Sequence, residues 1–155
     1  QSSEDMEPEK RKAVHLEPLQ AGEVQSWIQM QNETFFFTVN SGTYETGMVK
    51  EEQEAGSRFF WICDGETKVG TLILIPKEDS LFIDGIAVSS RYQGRGYGRA
   101  ALECCGRMAA GLGMGTLSLI VADSNLHAKN LYERTGFVCT GRGPEWFCTE
   151  SSLMQ

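Results

Sequence analysis

Between Leu81 and Arg99 the chain reads LFIDGIAVSSRYQGRGYGR, and the second half of that stretch is the best candidate for chemistry. Gly94, Gly96 and Gly98 alternate with Arg95, Tyr97 and Arg99 directly after Gln93. Glycines allow backbone N–H groups to close around an anion, and a helix that starts there adds the positive end of its dipole, worth about half a unit charge. Ahead of the glycines lies a run of β-formers, Leu81 to Val88, short enough for one buried strand. Behind them, Leu102, Cys105, Met108 or Ala109, and Leu112 follow a helical spacing from Ala100 onward. Strand, glycine-rich loop and helix in that order make a phosphate site.

Three glycine patterns compete for this loop. The dinucleotide fingerprint G-x-G-x-x-G, started at Gly94, needs glycine where Arg99 stands, and it normally belongs to the first βα unit of a domain. A P-loop needs lysine and a hydroxyl residue at its end, and neither follows Gly98. A plain flexible turn with scattered arginines fits poorly with such regular flanks. The pattern Q/R-x-x-G-x-G/A fits Gln93, Gly96 and Gly98 without a gap, and here the chain resembles the GNAT superfamily of acyl-CoA-dependent N-acetyltransferases. The resemblance implies that Gln93, Gly94, Arg95, Gly96, Tyr97, Gly98 and Arg99 grip the pyrophosphate of coenzyme A. It also implies that the strand at Ile86, Ala87 and Val88 carries a bulge and lies against the pantetheine arm.

A second stretch supports the same resemblance. Asn125-Leu126-His127-Ala128-Lys129-Asn130-Leu131-Tyr132, closing at Gly136-Phe137, matches the common family form N-x-x-A-x-x-L-Y followed by G-F. Asn125, Lys129 and Tyr132 are four and three residues apart, so they share one helix face. By the residue alone, Tyr132 reads as a half-buried core tyrosine. By resemblance it is the hydrogen-bond donor to the sulfur of coenzyme A, with Asn125 and Lys129 beside the cofactor.

The implied reaction is attack of a neutral amine on a thioester carbonyl, through a tetrahedral oxyanion, with a thiolate expelled. A free thiol has a pKa of ~8.5 and tyrosine ~10, so full proton transfer from Tyr132 runs uphill by roughly 2 kcal/mol; hydrogen bonding to the departing sulfur fits better. An alkylamine of pKa ~10.4 must first lose a proton. Asp84 is the candidate base, two residues before Ile86 and expected on the same strand face. A carboxylate in an apolar strand is costly unless it meets a cleft or a partner. Asp84 could equally bind a cationic substrate or simply face solvent. His15 reads as a surface residue, and His127 sits off the Asn125–Tyr132 face.

Composition bounds the rest. With 155 residues, 41% hydrophobic and 23% charged, the chain suits one domain with a sizeable core. Its net charge of −7 argues against a nucleic-acid partner and favours cationic ones. Locally the balance reverses, with Arg91, Arg95 and Arg99 and no acid from 91 to 99. Five cysteines include no CxxC pair, so neither a metal site nor a disulfide is expected, and reduced thiols in the cytoplasm are the default. No apolar run reaches the ~20 residues of a membrane span, and the first residues lack an apolar targeting segment.

The elements that must hold these residues follow in order. Residues 1–12 are polar and aperiodic, an expected loose segment, and 151–155 an expected tail; residues 13–150 form the one domain. Ala13–Leu16 reads as a strand, Gln20–Gln31 and Glu45–Ala55 as helices. Residues 33–44, with three consecutive phenylalanines, suit either core or the wall of a substrate pocket. Arg58–Cys63 and Lys68–Ile75 form a hairpin around Asp64-Gly65-Glu66. After the Leu81 strand and the long helix come the strand Thr116–Val121, a helix from Asp123 or Ser124 to Thr135, and two strands, Phe137–Thr140 and Glu145–Thr149. The fold class is α/β (α+β): a mixed, mostly antiparallel central sheet flanked by helices, in the order β-α-α-β-β-β-α-β-α-β-β, as in the resembling family.

The reading that unites these features is an N-acetyltransferase moving acetyl from acetyl-CoA to a primary amine, the acceptor being a small cationic amine. Its rivals are a protein or peptide amino-group acetyltransferase and a non-catalytic acyl-CoA-binding domain. Acetyl-CoA and the amine are the expected partners, with no nucleic acid, membrane or metal. Oligomeric state stays open, a homodimer being one option.

Overall fold

A computed structural model of the protein describes residues 13–33, 45–122, 126–141 and 145–149. The expected loose segment 1–12, the tail 151–155, the phenylalanine stretch, the Asp123 or Ser124 helix cap, Asn125 and the turn at 142–144 lie outside the described residues. The elements run β1 (His15–Pro18), α1 (Val24–Asn32, entered through a 3-10 turn), α2 (Thr46–Glu54), β2 (Arg58–Asp64), β3 (Thr67–Pro76), β4 (Ser80–Val88), α3 (Tyr97–Gly111), β5 (Thr116–Ala122), α4 (Leu126–Arg134), β6 (Val138–Gly141) and β7 (Glu145–Thr149). This is the expected order. The described strands form one seven-stranded sheet, β1-β2-β3-β4-β5-β7-β6. Its neighbours are antiparallel except β4 and β5, which run parallel. None of the described helices is long and apolar enough to cross a membrane.

Helices cover both faces of the sheet. On one, α3 and α4 bury Ala101, Leu102, Cys105, Ala128, Leu131 and Tyr132 against Ile62, Leu72, Leu81, Ile83, Ile86 and Leu117. On the other, Trp27 of α1 and Val49 of α2 pack on Phe59, Trp61, Cys63 and Ile73. Trp27 also donates its ring N–H to the Phe60 carbonyl at 2.8 Å, so the buried indole leaves no polar atom unsatisfied. Glu23, at the entry to α1, accepts from the Trp61 ring at 3.0 Å and from Lys68 at 3.2 Å. These contacts, with a backbone bond from Gln20 as the largest cause, hold its carboxyl below the usual range.

Two details differ from the sequence expectation. The hairpin loop is Gly65-Glu66, since Asp64 still pairs with Thr67, and Gly65 takes the positive φ of 62° that the turn requires. The long helix starts at Tyr97, three residues before the apolar pattern suggested. Tyr97, Ala101 and Cys105 form a buried i, i+4 stripe, so the glycine loop itself supplies the first turn.

Strands β3 and β4 approach too closely for a side chain at one point. A Cβ built on Gly70 would run into the Ala87 carbonyl oxygen, with Ile62 Cδ1 only 3.1 Å away. Gly70→Ala is therefore expected to cost about 1–3 kcal/mol in urea unfolding through forced separation of the two strands. Gly111→Ala, where nothing lies within 4 Å, is the control expected to be neutral or slightly stabilising.

Candidate active site

The parallel ladder between β4 and β5 covers only Ser80↔Thr116 to Ile83↔Leu119. Both strands continue beyond it, β4 to Val88 and β5 to Ala122, and β5 keeps its pairing with β7 on its other edge as far as Ala122↔Glu145. A wedge-shaped gap thus opens in mid-sheet beside residues 84–88. Ser89 donates its N–H to the Val69 carbonyl at 2.8 Å, which makes Val69 and Ser89 a hydrogen-bonded pair across β3 and β4. Antiparallel pairing alternates, so Ala87 and Gly85 turn their peptide groups to β3, whereas Ile86 and Val88 turn theirs into the gap. Gln93 agrees with this assignment. Its side-chain amide donates to the Val88 carbonyl at 2.8 Å from the open side. Of the three residues expected along the cofactor, Ile86 and Val88 present backbone groups there, and Ala87 presents its own to Thr71.

The strand irregularity lies earlier than the resemblance implied. Ile73 pairs with Gly85 and Leu74 with Ile83, which leaves Asp84 as the extra residue of a β-bulge. The bulge reverses the side-chain alternation. Leu81, Ile83, Ile86 and Val88 all belong to the α3/α4 core although Ile83 and Ile86 are three apart. Asp84 and Ile86 therefore lie on opposite faces of the sheet, not on one, and Asp84 falls on the side covered by α1. A Cβ on neighbouring Gly85 would point at Ile73 Cδ1, 3.4 Å, and Gln31 Nε2, 3.8 Å, which marks that side. The Asp84 side chain is half-buried.

At the mouth of the gap, Gly94 and Gly96 take φ of 79° and 89°, and Gly96 caps α3 with no side chain closing the helix end. The first helical bond is from Ala100 N–H to the Gly96 carbonyl, 3.1 Å. The N–H groups from Gly96 to Arg99 precede that bond and have no partner within the helix. Such a cluster at a positive dipole end binds an anion. The side chains around it divide their work. Tyr97 is buried and donates its hydroxyl to Asp64 Oδ2 at 2.5 Å, which ties the helix start to the β2–β3 hairpin. That acceptor, with burial second, pushes the Tyr97 hydroxyl up to about 12. Arg99 turns along the helix to Glu103, 3.4 Å, while exposed Arg95 stacks over Tyr92 at 5.7 Å. Arg91 is exposed nearby. Gly98 is part of the first helical turn, half-buried.

On α4, Tyr132 is fully enclosed, its ring 5.5 Å from that of Phe137 at 59°. Lys129, one turn back, is half-buried. Asn125 lies outside the described residues, so only two members of the expected trio are placed. Sequence reasoning missed Gln31 and Thr71. Gln31 is wholly buried on α1, its Oε1 accepting from Thr71 Oγ1 at 2.5 Å, and its Nε2 has no hydrogen-bond partner among the described residues. Its spacing of four from Trp27 was the available signal, masked because glutamine reads as surface.

The family model for the acetyltransferase (GNAT) family matches residues 24–137. The chain belongs to that family. Comparison with curated proteins gave no match. Among solved structures, the ribosomal-protein-S18-alanine N-acetyltransferase from Escherichia coli superposes with a TM-score of 0.74 at 21% identity, covering 89% of this chain and 93% of that one. The spermidine N-acetyltransferase from Vibrio cholerae, in complex with CoA and spermine, superposes at 0.69, also at 21% identity, covering 88% and 92%. This GNAT protein is an acetyl-CoA-dependent N-acetyltransferase, its family supplying the cofactor and its fold the open mid-sheet gap.

Removing the Tyr97–Asp64 bond tests the anchor of the loop. Tyr97→Phe is expected to lower stability by about 1 kcal/mol and to weaken coenzyme A binding measured by calorimetry. Because the folded hydroxyl titrates near 12 and an ordinary one near 10, its contribution is whole below pH 10 and fades as pH rises through 12. The stability gap between wild type and Tyr97→Phe should therefore hold from neutral pH to about 10 and shrink above it. Thr71→Val, which leaves the buried Gln31 amide without its hydroxyl, should cost about 1–3 kcal/mol, and Thr71→Val combined with Gln31→Leu less than the sum of the single changes.

Proposed function

We propose that this enzyme transfers acetyl directly from acetyl-CoA to a primary amine, and that the acceptor is a small cationic amine. The observation that carries the reading is the continuous run from the uncapped start of α3 to the open edge of β4. A diphosphate on the Gly94–Arg99 amides, with Arg95 and Arg91 adding charge, would aim the pantetheine arm down the gap. Ile86 and Val88 then offer it strand-like hydrogen bonds, and an N–H on that edge faces the thioester carbonyl, where it stabilises the developing oxyanion.

Tyr132 serves the departing sulfur in this scheme, assisted by Lys129 and Asn125 on the same helix face. Its enclosure means the thioester must reach it from inside the gap. Asp84 lies on the α1 side of the sheet, away from Ile86, and this suits an acceptor entering from the face opposite α3. There it either takes the amine proton or holds a second cationic group. A net charge of −7 draws cations towards the molecule. The likeness to a spermidine acetyltransferase agrees with this acceptor class. Acetylation of a protein amino group is the second reading, favoured by the likeness to a ribosomal-protein acetyltransferase.

Thiol release from acetyl-CoA, measured over a panel of polyamines, simple monoamines and peptides with free amino termini, is expected to be fastest with the polyamines. Faster turnover of peptides would overturn the acceptor class. Tyr132→Phe should lower kcat by roughly 100-fold with coenzyme A binding kept, since the ring volume is conserved. Asp84→Asn should raise KM for a polyamine or move the alkaline limb of the pH–rate profile; a variant with wild-type behaviour in both would remove Asp84 from the site.

A further inference from the structure

We propose that His15, Glu17 and Cys63 form a site for one divalent transition-metal ion of the zinc class, at the edge of the sheet away from the acetyl-transfer gap. His15 and Cys63 are direct partners across β1 and β2. Glu17, two residues along β1, shares the face of His15. The imidazole nitrogen, a carboxylate oxygen and the thiol sulfur all lie within 4.8 Å of one another, and His15 Nε2 is 2.7 Å from Glu17 Oε2. Three protein donors around a single point, with the fourth position left to water, is a recurrent zinc arrangement. The donor set is nitrogen, oxygen and sulfur, which selects a borderline or soft ion over calcium or magnesium.

The charges balance. A thiolate and a carboxylate neutralise a divalent ion, and the neutral imidazole adds none. Binding displaces the Cys63 proton to solvent, and Cys63 must give it up from an unfavourable setting. Burial first, and the Glu17 carboxylate next, raise the thiol to about 11 in the metal-free protein. A divalent ion beside the sulfur reverses that by direct coordination. Lys68 and Glu23 are the other charged groups near the sulfur, and they are engaged with each other at 3.2 Å. His15 and Glu17 are half-exposed on an edge strand, so an ion can enter from solvent. Holding β1 to β2 by a metal bridge would fasten a four-residue strand that, among the described residues, pairs with β2 alone.

The site lies two to three strands from β4, roughly 10–14 Å at the usual strand spacing. Its ligands stand on two strands far apart in the chain, so no motif spacing announces them.

Cobalt titration of the reduced, full-length protein tests the site. One equivalent is expected to give a thiolate-to-cobalt charge-transfer band with tetrahedral d–d absorption, and zinc should displace it stoichiometrically. His15→Ala and Glu17→Ala, both at exposed positions, should each weaken binding by at least about tenfold. Cys63→Ser should remove the charge-transfer band, while Cys104→Ser should retain it. Zinc should raise the melting temperature of the wild type but not of His15→Ala. Acetyl-transfer rates with and without zinc should agree. No band at one equivalent, or a band unchanged in His15→Ala and Glu17→Ala, would overturn the proposal.

Discussion

The parting of β4 from β5 is the constraint on which the rest of this molecule depends. A parallel pair in the middle of a sheet ordinarily keeps its ladder, because unpaired peptide groups in a protein interior are costly. Here the ladder stops at Ile83↔Leu119, while β5 runs on to Ala122 paired with β7 along its far edge. Beyond that point, among the described residues, β4 has a strand on one side only, β3. Its other edge keeps the hydrogen-bonding capacity of a strand without a strand to use it. That unmet capacity is what an extended, amide-bearing cofactor arm can fill, and it exists only because seven strands are arranged so that the gap falls between two of them.

Asp84 and Gly85 show how the chain prepares that edge. The bulge inserts one residue into β4, so the apolar side chains before and after it, Ile83 and Ile86, both reach the α3/α4 core. Without the extra residue, Ile86 and Val88 would turn towards α1 and their peptide groups towards β3. One inserted residue thus decides both which core the strand's end packs into and which backbone groups face the gap. A Cβ at Gly85 would meet Ile73 and Gln31 at ordinary contact distance on that side.

The glycine loop depends on the same geometry at its other end. Gln93 folds back onto the last carbonyl of β4, and Tyr97 reaches Asp64 at the hairpin. The loop is therefore fixed to two different strands before any ligand arrives. A preorganised anion site loses less on binding than a flexible one, since the ordering of the glycines has already occurred in folding.

Much of this was legible in the residues. The glycine spacing after Gln93, the flanking strand and helix, the order of all eleven elements and the family resemblance need only local pattern, because local pattern sets periodicity and turn chemistry. The start of α3 was read three residues late, since Gly98 and Arg99 interrupt the apolar count while Tyr97 is buried through a contact with a distant strand. The side of the sheet on which Asp84 lies could not be read at all. Alternation is a rule within one strand, and the bulge that breaks it is defined by the partner strand, which only pairing reveals. The same holds for Gln31 against Thr71, and for His15 beside Cys63: each couples residues whose neighbourhood is created by packing, so sequence fixes what they can do, and tertiary structure alone decides what they meet.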